Sequence, residues 1–300
     1  MAALAWARDG ADWPHREASR FVTAAGLRWH VQVYGAGPAA LLVHGTAASS
    51  HTWREFGPAL AERYTVIAPD LPGHGFTEMP PWRLQRLGGT ARALGELLAA
   101  LGVRPELAVG HSAGAAILAR MALDGIVEPR LLVSLNGAFL PFEGLAGYLF
   151  PTTARLLTFN PLVPPWVAFR SRNRRLFERL VGFTGSRLDA AGIDYYQRLA
   201  TNPGHVAAAL GMMARSHDDL YALEQELPRL AVPLALLTAE RDQAVPPAQA
   251  DRVRLRLPAA RHEQLPGLGH LAHEEDPRRV AARVLALAAA PESRGGVTIR

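Results

Sequence analysis

Three hundred residues, 49% hydrophobic and 20% charged, make an ordinary globular composition, long enough for one large α/β domain that carries an insertion. All 32 basic side chains are arginine, so a pI near 10.2 overstates a formal net charge of only +5, and no nucleic-acid recognition motif accompanies it. The chain has no cysteine, which excludes disulfides, thiolate metal sites and thiol nucleophiles.

The first twenty residues lack a basic leader followed by a long apolar segment, so no signal peptide is expected and the cytoplasm is the expected compartment. Residues 20–23 and 28–34 flank Ala25-Gly26 and predict an opening β-hairpin. Apolar runs at 40–43, 65–68, 107–109, 131–135 and 233–238 are mostly separated by helical stretches and predict buried parallel strands. Residues 261–265 predict a last strand and 278–290 a last helix. The expectation is an α/β fold with a mostly parallel eight-stranded sheet and helices on both faces.

Almost a hundred residues separate the strand at 131–135 from that at 233–238, far more than a crossover needs. They predict a helical cap at 137–220 inserted in a core of 1–136 and 221–290, with a loose tail at 291–300. Phe139, Phe142, Phe159 and Trp166 are expected to line a site for a bulky apolar group. Farther on, Leu176, Phe177, Leu180 and Val181 form the apolar face of an amphipathic helix, with Arg172, Arg174, Arg175 and Arg179 largely on the other. Those arginines read either as a solvated face or, with the apolar stretch, as a contact for an anionic membrane surface or for the carboxylates of a ligand. The run 156–169 is too short and too rich in proline to span a bilayer, which takes about 20 residues.

Gly110-His111-Ser112-Ala113-Gly114 joins an apolar strand to an alanine-rich helix, the G-x-S-x-G context of a nucleophile elbow. A strand that turns straight into a helix leaves no room for a Cβ on either flank, and the turn lifts the Ser112 hydroxyl clear of the sheet at a helix N-terminus. A serine needs a base, and the base an orienting acid. Asp242 follows one strand and His270 follows the last, in the loop Pro266-Gly267-Leu268-Gly269-His270. Glu240 is a rival acid and His273 a rival base. Backbone N–H groups of Ala113 and of Thr46, in the turn His44-Gly45-Thr46, are candidates for the oxyanion hole. His44 and His111 read as loop braces, and Asp70 as an anchor of its own turn. No cofactor motif is visible, and His217, Asp218 and Asp219 are too local for a metal site.

His44-Gly45, the stretch 70–75, the elbow, Asp242 and His270 together resemble the α/β-hydrolase superfamily over essentially the whole chain. Trp29-His30-Val31-Gln32, Asn160-Pro161-Leu162-Val163-Pro164, Asn202-Pro203-Gly204-His205-Val206 and the segment 268–275 extend the resemblance to the magnesium-chelatase accessory proteins of bacteriochlorophyll biosynthesis. It implies a role near magnesium insertion into protoporphyrin without fixing a chemical activity. Two readings follow. One is a serine hydrolase acting on an apolar ester or acyl compound; the serine at the elbow excludes the aspartate-nucleophile chemistry of dehalogenases and epoxide hydrolases of this fold. The other is an accessory protein that binds or delivers a tetrapyrrole, docking on magnesium chelatase or on the photosynthetic membrane.

Overall fold

Alternation along short strands gives the sheet two buried faces. A computed structural model describes residues 4–141 and 160–290, with the side chains of 216 and 217 excepted. Its strands are β1 (Ser19–Ala24), β2 (Leu27–Gly35), β3 (Ala39–Val43), β4 (Thr65–Pro69), β5 (Leu107–His111), β6 (Leu131–Leu135), β7 (Leu234–Ala239) and β8 (Arg261–Leu265). They form one sheet in the order β1-β2-β4-β3-β5-β6-β7-β8. The strands from β3 to β8 run parallel, while β2 is antiparallel to both β1 and β4. Ala25 and Gly26 close the β1–β2 hairpin with φ of 53° and 70°, the positive values that a two-residue turn of the right twist needs.

The helices used below are α1 (Phe56–Ala61), α2 (Leu87–Leu101), α3 (Ala113–Leu123), α4 (Val163–Arg170), α5 (Arg174–Gly182), α6 (Ala190–Ala200), α7 (Pro203–Glu226), α8 (Gln249–Arg256) and α9 (Pro277–Ala289). Leu41 and Val43 point into the core shared with α2 and α3, whereas Ala40 and Leu42 point into the core shared with α1 and α9. The period of two in a strand thus sorts neighbouring residues to opposite layers.

Between β6 and β7 the described chain forms α4 to α7. Side chains of Asn173, Asp189 and Asn202 cap the N-termini of α5, α6 and α7. The core boundary expected at 220/221 falls inside α7, which runs unbroken to Glu226 until Leu227-Pro228 ends it. The expected loose tail at 291–300, Phe142 and Phe159 lie outside the described residues.

Candidate active site

β5 is buried along its whole length and delivers Ser112 at φ 51°, ψ −119°, with α3 starting at the next residue. Such a conformation is costly for a residue with a side chain and persists only where its surroundings enforce it. Here they do. A Cβ on Gly110 would sit 2.5 Å from the Ala115 Cα, one on Gly114 would strike the Val43 carbonyl, and one on Gly45 would come within 2.9 Å of the Ser112 Cβ. The Ser112 N–H donates to the Leu135 carbonyl at 3.1 Å, which fixes the elbow to the end of β6.

Asp242 and His270 follow β7 and β8, at the same carboxyl edge of the sheet as Ser112. The Asp242 Oδ1 accepts the N–H groups of Ala244 and Val245, both at 2.8 Å, which turns Oδ2 to His270 Nδ1 at 2.8 Å. With a carboxylate on Nδ1, the neutral ring carries its proton there and leaves Nε2 as the basic nitrogen. The rival acid Glu240 is occupied with the Gly267 N–H at 2.7 Å. The rival base His273 is fully buried and bonded to Thr52 Oγ1 at 2.8 Å, and burial, with the nearby His270 and Arg54, pushes its pKa down to about 3.

Side chains that the sequence did not single out hold these loops. Asn136, itself at φ 49°, accepts the Ala239 N–H at 2.7 Å through Oδ1 and donates through Nδ2 to the His270 carbonyl at 2.8 Å. Glu275 accepts the Gly269 N–H at 2.8 Å and pairs with Arg241 at 3.1 Å, so one carboxylate spans the base loop and the acid loop. From the insertion, the Thr184 carbonyl accepts N–H groups of Gln243 and His270, and Ser186 Oγ accepts that of Leu271. A Cβ on Gly269 would collide with the Gly185 backbone, and one on Gly185 with the Arg241 carbonyl. The only sequence signal for this seam is glycine at 185 and 269.

Neither the Thr46 N–H nor the Ala113 N–H has an acceptor among the described residues. Ala113 opens α3, where the first N–H groups have no helical partner. His44 donates Nδ1–H to the Gly45 carbonyl at 2.7 Å and accepts the Leu71 N–H at Nε2 at 2.9 Å, bracing the Thr46 turn; burial keeps its pKa low and the ring neutral. Asp70 accepts the Ser50 and Phe76 N–H groups at 2.6 and 2.9 Å and meets His30 Nδ1 at 2.8 Å. Burial opposes its ionisation, yet His30 and these donors hold it below the usual carboxylate range.

Two of the expected apolar lining residues sit elsewhere. Phe139 is 1% exposed and packs in the hydrophobic core against the α3 layer. Trp166 is 63% exposed, because α4 packs on α7 with Pro164 and Ala168 buried and turns the residue between them outward.

A family model described as "Alpha/beta hydrolase family" matches residues 40–283. The "Magnesium-chelatase 30 kDa subunit" of Rhodobacter capsulatus is 41% identical over 267 residues, covering 88% of this chain and 92% of that protein. "Haloalkane dehalogenase 2" of Mycobacterium tuberculosis is 28% identical over 279 residues, covering 89% of this chain and 93% of that one. Among solved structures, the epoxide hydrolase CorEH superposes with a TM-score of 0.76 at 22% identity, covering 89% of this chain and 97% of the other, a likeness of fold alone.

Proposed function

Because the chain belongs to the alpha/beta hydrolase family, we propose that it is a serine hydrolase whose nucleophile, base and acid are Ser112, His270 and Asp242. The observation that carries the reading is the 2.8 Å contact of His270 Nδ1 with Asp242 Oδ2, at the same sheet edge as a serine on a strained strand-to-helix turn. The substrate class is an ester or acyl compound with a bulky apolar group, and the insertion 137–220 serves as the cap over the site.

In this scheme the Ser112 Oγ adds to the substrate carbonyl while His270 Nε2 takes the hydroxyl proton. Asp242 holds the ring and stabilises the imidazolium that forms. The Ala113 and Thr46 N–H groups receive the oxyanion, each contributing about 3 kcal/mol to its stabilisation. His270 returns the proton to the leaving alcohol, and an acyl-Ser112 ester remains. Water then repeats the sequence, releasing the acid and restoring Ser112.

The relative named as a magnesium-chelatase subunit supports a role near magnesium chelation in bacteriochlorophyll biosynthesis; the location that goes with this reading is the cytoplasm, with peripheral contact at the photosynthetic membrane. It also favours a second reading, in which the protein binds or delivers a tetrapyrrole to magnesium chelatase without turnover. Hydrolysis of a series of aryl esters of increasing acyl length separates the two. The hydrolase reading expects turnover that Ser112→Ala abolishes. No turnover on any ester, together with a porphyrin absorbance shift that Ser112→Ala leaves intact, favours the second.

A further inference from the structure

Nine large hydrophobic side chains stand exposed among the described residues, and five of them fall within residues 162–183. Trp166, Phe169 and Phe183 are 63%, 65% and 71% exposed. The helices themselves explain this. α4 buries Pro164 and Ala168, and α5 buries only Phe177, which leaves Trp166 and Phe169 on α4 and Phe183, just after α5, exposed among the described residues.

The same stretch is strongly basic. Arg170, Arg172, Arg175 and Arg179 are exposed and have no ion-pair partner among the described residues, whereas Arg174 is held by Glu178 and Asp194. Arg172 lies 5.8 Å from the Phe169 ring, so cation and aromatic share one surface. Exposed tryptophan and phenylalanine beside unpaired guanidinium groups match the boundary of an anionic bilayer, where rings enter between headgroups and cations meet lipid phosphates. No helix of the described residues is long and apolar enough to cross a membrane, so such a contact is peripheral.

We propose that residues 162–183 dock the protein on an anionic lipid bilayer, with Trp166, Phe169 and Phe183 inserted and the four arginines on lipid phosphates. This deepens the membrane-side location given above and is independent of chemistry at Ser112.

The test floats the full chain with vesicles of phosphatidylglycerol in phosphatidylcholine, and with phosphatidylcholine alone, at low and high salt. Binding is expected on the anionic vesicles, about tenfold or more weaker on neutral vesicles and at high salt. The variants Arg172→Gln/Arg175→Gln/Arg179→Gln and Trp166→Ser/Phe169→Ser/Phe183→Ser each lose about tenfold or more with unchanged circular dichroism. Ser112→Ala binds like the wild type, so failure of the hydrolase reading leaves this result standing. Absence of flotation, or an arginine variant that floats as well as the wild type, overturns the proposal. So does a wild type that ignores vesicles but captures purified magnesium-chelatase subunits through these side chains, which makes the surface a protein interface.

Discussion

His111 donates its Nε2–H to the backbone carbonyl of His270 at 3.0 Å, tying the residue before the candidate nucleophile to the candidate base. The two rings lie 4.6 Å apart, and burial, with His273 and His270 beside it, keeps His111 well below its usual pKa. A neutral ring in this place braces the base loop without repelling the imidazolium that His270 forms during acyl transfer.

The acid is identified by a pair of conservative substitutions. Asp242→Asn keeps the shape but removes the charge that sets the His270 tautomer, so ester turnover falls about 10⁴-fold, whereas Glu240→Gln stays within about twofold. Equal losses in the two variants would assign the role to the wrong carboxylate.

Asn136 joins three chain segments through one buried amide. Asn136→Ala leaves the Ala239 N–H without its side-chain acceptor and weakens the hold on the His270 carbonyl, at a cost of about 2 kcal/mol in urea unfolding. Turnover falls further than stability does, because the acid and base loops lose a common anchor. Unchanged turnover in the folded variant would show that the loops are positioned without it.

Gly185 has φ 81° and abuts the Arg241 carbonyl, next to Asp242. Gly185→Ala is expected to destabilise by about 2 kcal/mol or more and to lower kcat more than it raises KM. A variant with normal kcat would separate the 184–186 seam from the chemistry.

The buried histidines make stability depend on pH in one direction. Burial holds His205 at about 4 and His273 at about 3, and it lowers His44, His51, His74 and His111 as well. Unfolded, each titrates near 6.5, so between about pH 6.5 and 4 the unfolded chain binds more protons and stability falls as pH falls. Buried Glu274, whose pKa burial raises, offsets part of this as pH approaches its folded value from above. Urea midpoints at pH 7 and pH 5 check the balance: a clearly lower midpoint at pH 5 is expected, and an equal or higher one would contradict it.

The strands and the elbow were legible in the sequence because their signals are local. The run at 261–265 and strand β8 coincide, and Gly110 and Gly114 stand where neighbouring backbone leaves no space for a Cβ. Asn136, Arg241 and Glu275 gave no such signal. Asn136 reaches partners 103 and 134 residues away and Arg241 meets Glu275 34 residues away, and a single polar contact, like the one from Glu275 to Gly269 six residues back, has no period. Trp166 read as a lining residue from its composition, whereas its exposure follows from which face of α4 meets α7.

Labelling of the purified protein with a fluorophosphonate, mapped to its residue by mass spectrometry, tests the central claim without any assumption about substrate. Stoichiometric modification of Ser112 in the wild type, lost in folded His270→Ala, is the predicted result. A folded wild type that stays unlabelled at Ser112, or a His270→Ala variant labelled as fast as the wild type, would contradict an assembled Ser112–His270–Asp242 site.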